Sequence, residues 1–505
     1  VKPAEIRVKF SKRRSEGVLW GKTAAQLVCL VIALFTAIGG LNTPGPVKLL
    51  PLTATALLTA VALLPVYGRP LVDFAPILLN RLVTKATGQD QYRGGPFRLG
   101  RHQDVPAGPQ LPGDLAKLSF QTYQVGEGPG RELGVVKDEH DGSYVAVLEV
   151  RTDTFALLDS AEQAQRILGF GAMLNSLCRS DSPLSRIQVL QRVVHEIGDP
   201  LRRDWKVHGT QDNATAVAAY EELITAHGTA GQRHESFVVL RLDPRRCGDR
   251  IKASGGGDDG AAAVLFAEIT RVNRGLQSAG ITVRGWLPPR GIAYVIRTAF
   301  DPTATDMLDR RGGGEGDALG GDRGAASGVA PAVSHPMATS TGRSHYATNG
   351  AVHRTWWIAE WPRAESGVPV GFLEPVLLRL HSRRTVTLVL EPLPAKKAQT
   401  RINIEASAND ARDTFNRRID RRTKRSERRE TEDLHRREAE LVEGFAHFRF
   451  LGFVTMTAPT IEDLELQSGA MEAALNESSV EPQVLWWEQD QAYWAAALPL
   501  ARGLR

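Results

Sequence analysis

Chemistry at neutral pH needs nucleophiles, titrating bases or metal ligands at workable spacing, and this 505-residue chain offers few. Its three cysteines, Cys29, Cys178 and Cys247, share no metal-ligand or redox spacing. The nearest grouping of histidines, His345 and His353 around Tyr346, lies where a loop enters a strand, and a lone histidine beside Trp356 reads as structural. There is no H-E-x-x-H and no G-x-S-x-G. The stretch GVLWGKT, Gly17 to Thr23, imitates a phosphate-binding loop, but the first glycine of that motif would fall at Glu16, and no buried strand precedes it. Asp258 and Asp259 in SGGGDDG lack the length and ligand spacing of a calcium loop. The expectation is a non-enzyme with no cofactor, no metal and no catalytic residue. Four tryptophans are the candidate site instead. Trp356 and Trp357, and again Trp486 and Trp487, are adjacent in expected strands, so the two of each pair point to opposite faces. One of each then faces the core and the other is exposed or at an interface; core packing is the default reading, and an exposed tryptophan of either pair is the candidate for docking a partner.

Two apolar runs must position that body. Thr23–Gly40 and Leu49–Tyr67 carry no charge, and LNTPGPVK joins them. A helix of about 18 residues spans ~27 Å, close to a bilayer core. The pair reads as a transmembrane helical hairpin. Basic residues flank both outer ends, with Lys12, Arg13, Arg14 and Lys22 before and Arg69 after, while the turn holds only Lys48. The positive-inside rule then places both termini in the cytoplasm of a bacterial inner membrane, with phospholipid as the first partner. Leu79, Leu82 and Val83 alternate with Arg81 and Lys85, as in an amphipathic helix at the membrane surface.

The rest alternates strand and helix. SYVAVLEV, SRIQVLQRVV, SFVVLRLDP and ITVRGWL read as strands, with helices at Ser160–Cys178 (Ser160 as N-cap), Thr215–His227 and Ala261–Ala279 between them. HRTWWIAEWPR, RTVTLVLEPLP, FRFLGFVTMTAP and PQVLWWEQ continue the strands after a Gly/Ser-rich tract. The fold class is α+β or α/β, with ferredoxin-like sandwiches behind the hairpin. The expected divisions are a basic tail (1–22), the hairpin (23–67), an amphipathic helix and linker (68–113), a first α/β region (114–309), a Gly-rich mobile loop (310–350) and a second α/β region (351–505). The second contains a long charged helix near 395–443. Its interleaved signs fit a solvated face better than a nucleic-acid contact, although binding through Arg417 to Arg437 stays open. A net charge of +5 selects no partner.

Four phrases carry a family resemblance. SYVAVLEVRTDTFALLDSAEQ, HRTWWIAEWPRAESGVPVGFLEPVLL, RTVTLVLEPLPAKKA, and FVTMTAPTIEDLE with QDQAYWAAALPLARG resemble the N-terminal, non-ATPase half of the conjugation ATPase of type IV secretion systems. The hairpin resembles those systems' small two-helix membrane components. The resemblance implies an actinobacterial scaffold that docks a separate motor ATPase and other channel subunits, with self-association open. Topology and size also resemble the type VII secretion component that has two N-terminal membrane helices and a cytoplasmic α/β domain.

Overall fold

The computed structural model describes residues 7–8, 23–66, 69–86, 88, 90–94, 110–125, 132–151, 155–179, 181–195, 205, 208–210, 212–227, 232–305, 307–308, 328–362, 367–394, 398–400, 402–403 and 447–503. The first apolar run forms helix α1 (Ala24–Asn42), begun by a capping box in which the Thr23 hydroxyl accepts from Gln26 N–H and the Gln26 side chain accepts from Thr23 N–H. The second forms α2 (Leu49–Leu63), which stops short of Tyr67 because Pro65–Val66 turns back to pair with Arg69–Pro70. The two helices run antiparallel, tied where Gln26 Nε2 donates to Ala62 O (2.8 Å) and where Thr36 and Thr55 hydroxyls meet at 2.9 Å. A Cβ on Gly40 would sit 3.1 Å from the Pro51 ring, so this residue sets how closely they approach. Helix α3 (Leu71–Ala86) follows directly.

The body is built on one thirteen-stranded sheet. In chain order come β1 (Gln91–Arg93), the hairpin β2 (Leu118–Gln124) and β3 (Glu132–Asp138), then β4 (Ser143–Arg151), α4 (Ser160–Leu177), β5 (Leu184–His195), α5 (Ala214–His227), β6 (Gln232–Leu242), the short α6 (Gly248–Ala253), α7 (Gly257–Ser278), β7 (Thr282–Trp286) and α8 (Pro289–Phe300). A second series holds the hairpin β8 (Ala338–Thr341) and β9 (Tyr346–Thr348), β10 (Val352–Glu360), a π turn at Pro375–Arg379, β11 (Arg383–Leu393), β12 (His447–Ala458), α9 (Ile461–Glu477), β13 (Glu481–Val484) and α10 (Gln489–Ala497).

The two series repeat one topology. In the first, the spatial order is β7-β4-β6-β5, and in the second it is β13-β10-β12-β11. In each, the preceding hairpin pairs with the start of the unit's first strand and the unit's last strand pairs with its end. The units join edge to edge through β5 and β11, antiparallel, from Arg384↔Val193 to Leu390↔Ile187. The expected separate α/β regions thus share a sheet, because pairing two open edges satisfies both rows of backbone groups.

Several local expectations change. Asp159, not Ser160, caps α4, its carboxylate accepting from Glu162 N–H. Helix α7 starts four residues before Ala261, so Asp258 and Asp259 stand in its first turn, where the helix dipole favours carboxylates. Asp258 also accepts from Lys137 Nζ (2.9 Å), Tyr144 OH (2.6 Å) and Gln121 Nε2 (2.6 Å), which fastens α7 to β2–β4. The tract expected as a mobile loop at 310–350 contains β8 and β9, whose partners β1 and β10 supply the order its own sequence lacks. Most of the expected charged helix lies outside the described residues.

Both faces of the sheet are covered. Helices α4 and α7 bury Ala146, Leu148, Val238 and Leu240, while α8 and α10 lie against the cluster with Val145, Val147, Phe237 and Val239. Two arginines, the buried Arg192 and the partly buried Arg383, lock α8 to the joining strands. Arg192 Nη1 donates to Val295 O (3.2 Å), and Arg383 Nη2 donates to Thr298 O (3.0 Å), a cation placed at the helix C-terminus.

His353 on β10 is wholly buried, its ring nitrogens bonded to Thr457 (2.9 Å) and Thr348 (3.2 Å) hydroxyls and its ring 4.3 Å from that of Tyr493. Burial, then the nearby Arg383, holds its pKa down to about 3. The folded value lies below the unfolded one, so the stability from neutral His353 is complete above about pH 6.5 and is lost as pH falls toward the folded pKa. The expected slope is about 1.4 kcal/mol per pH unit in that window. His353→Gln, which can bond both hydroxyls, should flatten this component when unfolding is measured against pH; a slope unchanged from the parent would show that another group carries it.

Candidate membrane-coupling interface

Helix α3 turns a mixed face inward and leaves a largely apolar face in the open. Val72 and Phe74 are buried and Asp73, Arg81 and Thr84 are partly covered, while Leu78, Leu79, Leu82 and Val83 are exposed. A surface helix of a globular protein keeps its outer face polar, and this one does not. Its inner side is fixed at both ends. Toward the apolar helices, Leu71 N–H donates to Leu64 O (3.2 Å) and the Thr23 hydroxyl donates to Asp73 Oδ1 (3.4 Å). Toward the body, the Arg81 guanidinium donates to Thr341 O (3.1 Å) and Gly342 O (3.2 Å), the end of β8 and the turn after it. The chain leaving α3 then adds to the sheet as β1, paired with β8.

The tryptophan pair lies under this helix. Strand β13 ends at Val484, so Trp486 and Trp487 occupy the turn into α10 rather than the strand expected for them. Trp487 takes a left-handed backbone (φ +64°), held by its N–H to Arg343 O at 2.8 Å. The Arg343 guanidinium sits 4.9 Å from the Trp487 ring and 5.3 Å from that of Trp486. Phe74 of α3 meets Trp487 edge to face at 5.7 Å. Close by, burial raises the Asp490 carboxyl above its usual range, with Arg81 opposing that rise. Both indoles are therefore engaged within the chain, in the seam between α3 and the sheet.

Trp356 and Trp357 do point to opposite faces, but both are buried, at 1% and 9% exposure. Trp356 packs with Val454, Met456 and Leu464 and donates from Nε1 to Glu472 (3.2 Å) on α9. Trp357 packs with Phe453, Leu485 and Ala492 on the other face. Both therefore follow the default of core packing, because helices cover both sides, and neither is exposed as a docking candidate. Lys12, Arg13, Arg14 and Lys22 lie outside the described residues, and of Arg69 only the backbone is described. Arg81, Arg343 and Phe74 were missed as interface residues. The only sequence signal was the Arg81 and Lys85 spacing in α3, which does not say which face turns inward.

Arg81→Ala removes two charge-assisted bonds from this seam, and about 1–3 kcal/mol of local stability is expected to go with them. Amide exchange in β1 and β8 should accelerate while that in β5 and β11 stays as in the parent. Equal exchange throughout would mean that α3 is held by its apolar contacts alone.

The apolar helices and the sheet are thus bonded to the two ends of one connecting helix, α3. The EccE family model, described as a type VII ESX secretion system translocon, matches residues 230–358, about a quarter of the chain, from β6 to within β10. Comparison with curated proteins gave no match. The match takes in HRTWWI, the opening of a phrase on which the conjugation resemblance rested, and so favours the type VII alternative over the type IV reading. By length and composition, α1 is able to cross a membrane; α2 is apolar but shorter, at fifteen residues. Among the described residues no cluster of His, Cys, Asp or Glu is arranged to hold a metal.

Proposed function

We propose that this chain is a non-enzymatic, membrane-anchored structural subunit of a type VII secretion apparatus, with α1 and α2 as a two-helix anchor and both chain ends on the cytoplasmic side. The observation that carries this is the seam around Arg81, Trp487 and Phe74, which bonds the helix following the apolar hairpin directly to the sheet. Two further facts support it. Arg7–Val8, upstream of α1, pairs with Val368–Pro369 of the body, as a chain that crosses and returns would allow. The EccE match gives the machine. At fifteen residues α2 is about 22 Å long, so it would thin the bilayer locally or draw Leu64 into the span. The strand orders of the two units support reading each as a ferredoxin-like module, a rigid surface on which other subunits, including a motor ATPase, assemble.

The test is affinity purification of the tagged full chain from detergent-solubilised membranes, with identification of the co-purifying proteins. Other type VII membrane subunits are expected. Conjugation-channel subunits would move the protein to the other machine, and recovery of the chain alone in the soluble fraction would overturn the anchored reading.

A further inference from the structure

We propose that α3 is a lipid-binding element, its outer face seated among the headgroups and upper acyl chains of the bilayer, so that the β1–β8 edge of the sheet stands at the membrane surface. The proposal rests on the membrane reading of α1 and α2 and adds the partner of the next helix. Among the described side chains of α3 the exposed ones are Ala75, Pro76, Leu78, Leu79, Leu82, Val83, Lys85 and Ala86, which contain no acidic group and one cation. Leu79 and Leu82 are 64% and 66% exposed, far beyond what an isolated surface leucine in a folded domain would explain when three apolar neighbours share the face. The helix adjoins α1 and α2, which also leave large apolar side chains exposed, with Leu71 N–H bonded to Leu64 O and Thr23 to Asp73.

Charge separates α3 from a third span. Its sixteen residues include Asp73, Arg81 and Lys85, and the first two are bonded to α1 and to the sheet. A helix with one apolar side and its polar side satisfied by protein lies in the interface plane. Lys85, at the C-terminal end of the apolar face, is placed to reach anionic headgroups. Docking to the body fixes the tilt of that plane. The bilayer would therefore orient the sheet, where an anchor on a flexible tether would only confine it.

The full chain carrying photoreactive benzoylphenylalanine, placed singly at 79, 82, 35 or 168, would be irradiated in vesicles of phosphatidylcholine and phosphatidylglycerol. Phe35 on α1 and Leu168 on α4 are 68% and 73% exposed, so all four sites accept an apolar side chain without repacking. Lipid adducts at 79 and 82, in yield comparable with 35 and absent at 168, are the expected result. Adducts at 35 with none at 79 and 82 would overturn the lipid-seated α3 and leave the anchor standing. Chain-to-chain adducts at 79 and 82 would assign the face to a second copy and also overturn it. No lipid adduct at 35 would remove the membrane reading and this proposal together.

Discussion

Asp138→Ala is expected to destabilise the protein by about 3–5 kcal/mol, the cost of breaking a buried ion pair by deleting one partner. Asp138 is 2% exposed at the end of β3, and its Oδ2 accepts from Arg241 Nη2 at 2.9 Å and from Arg502 Nη2 at 2.7 Å. Arg241 is itself buried and also donates to Leu500 O (2.8 Å). Removing the carboxylate leaves two guanidiniums facing each other, with only the half-exposed Asp141 on Arg241. The effect should extend beyond the first unit. Residues 498–503 run from α10 back across it, and Gln188 fixes them by donating to Leu498 O (3.1 Å) and accepting from Ala501 N–H (2.7 Å). Thermal unfolding of the purified protein in detergent would show the loss as a lowered Tm, and proteolysis should release the C-terminal strap first. Asp138→Asn keeps the shape and should fall between the two. An unchanged Tm in the alanine variant would mean that Asp141 takes over both arginines.

The second large effect is expected at Arg384, 1% exposed on β11 and without a carboxylate partner among the described residues. Its guanidinium donates to Leu377 O (2.6 Å), Leu380 O (2.6 Å) and Ser382 O (2.7 Å), the carbonyls left open where the π turn ends. Burial pushes its pKa down to about 10, which leaves it charged at any physiological pH. Arg384→Met fits the stem but leaves three carbonyls without their donor, at about 1–3 kcal/mol for each that water does not reach. A loss of roughly 3 kcal/mol or more is the expected sum. Arg384→Lys should recover part of it, since an ammonium is compact and cannot fork to three acceptors. If the methionine variant unfolds at the parent's denaturant midpoint, the turn is hydrated and the arginine is not its cap.

Much of the local structure was legible in the residues. The uncharged run from Thr23 could only be an apolar helix, and Thr23 and Gln26 cap its start as their spacing allows. Thr460 caps α9 in the same way, its hydroxyl accepting from Asp463 N–H. The strands at Ser143, Leu184, Val352 and Arg383 lie where alternation and β-branched content placed them.

What surrounds each element was not legible, because periodicity marks the faces of a helix or strand but does not name what covers them. Trp356 and Trp357 were bound to point apart, and only α9 on one side and α10 on the other make both of them core. Trp486 and Trp487 lost their strand when β13 ended early, and their role came from Phe74 and Arg343, far away in sequence. The two apolar–polar faces of α3 were written in its residues, yet their direction was set by Arg81 reaching carbonyls 260 and 261 positions along the chain. The pairing of β5 with β11 decided that two units make one sheet, since strand order depends on which distant edges meet and no local pattern records it.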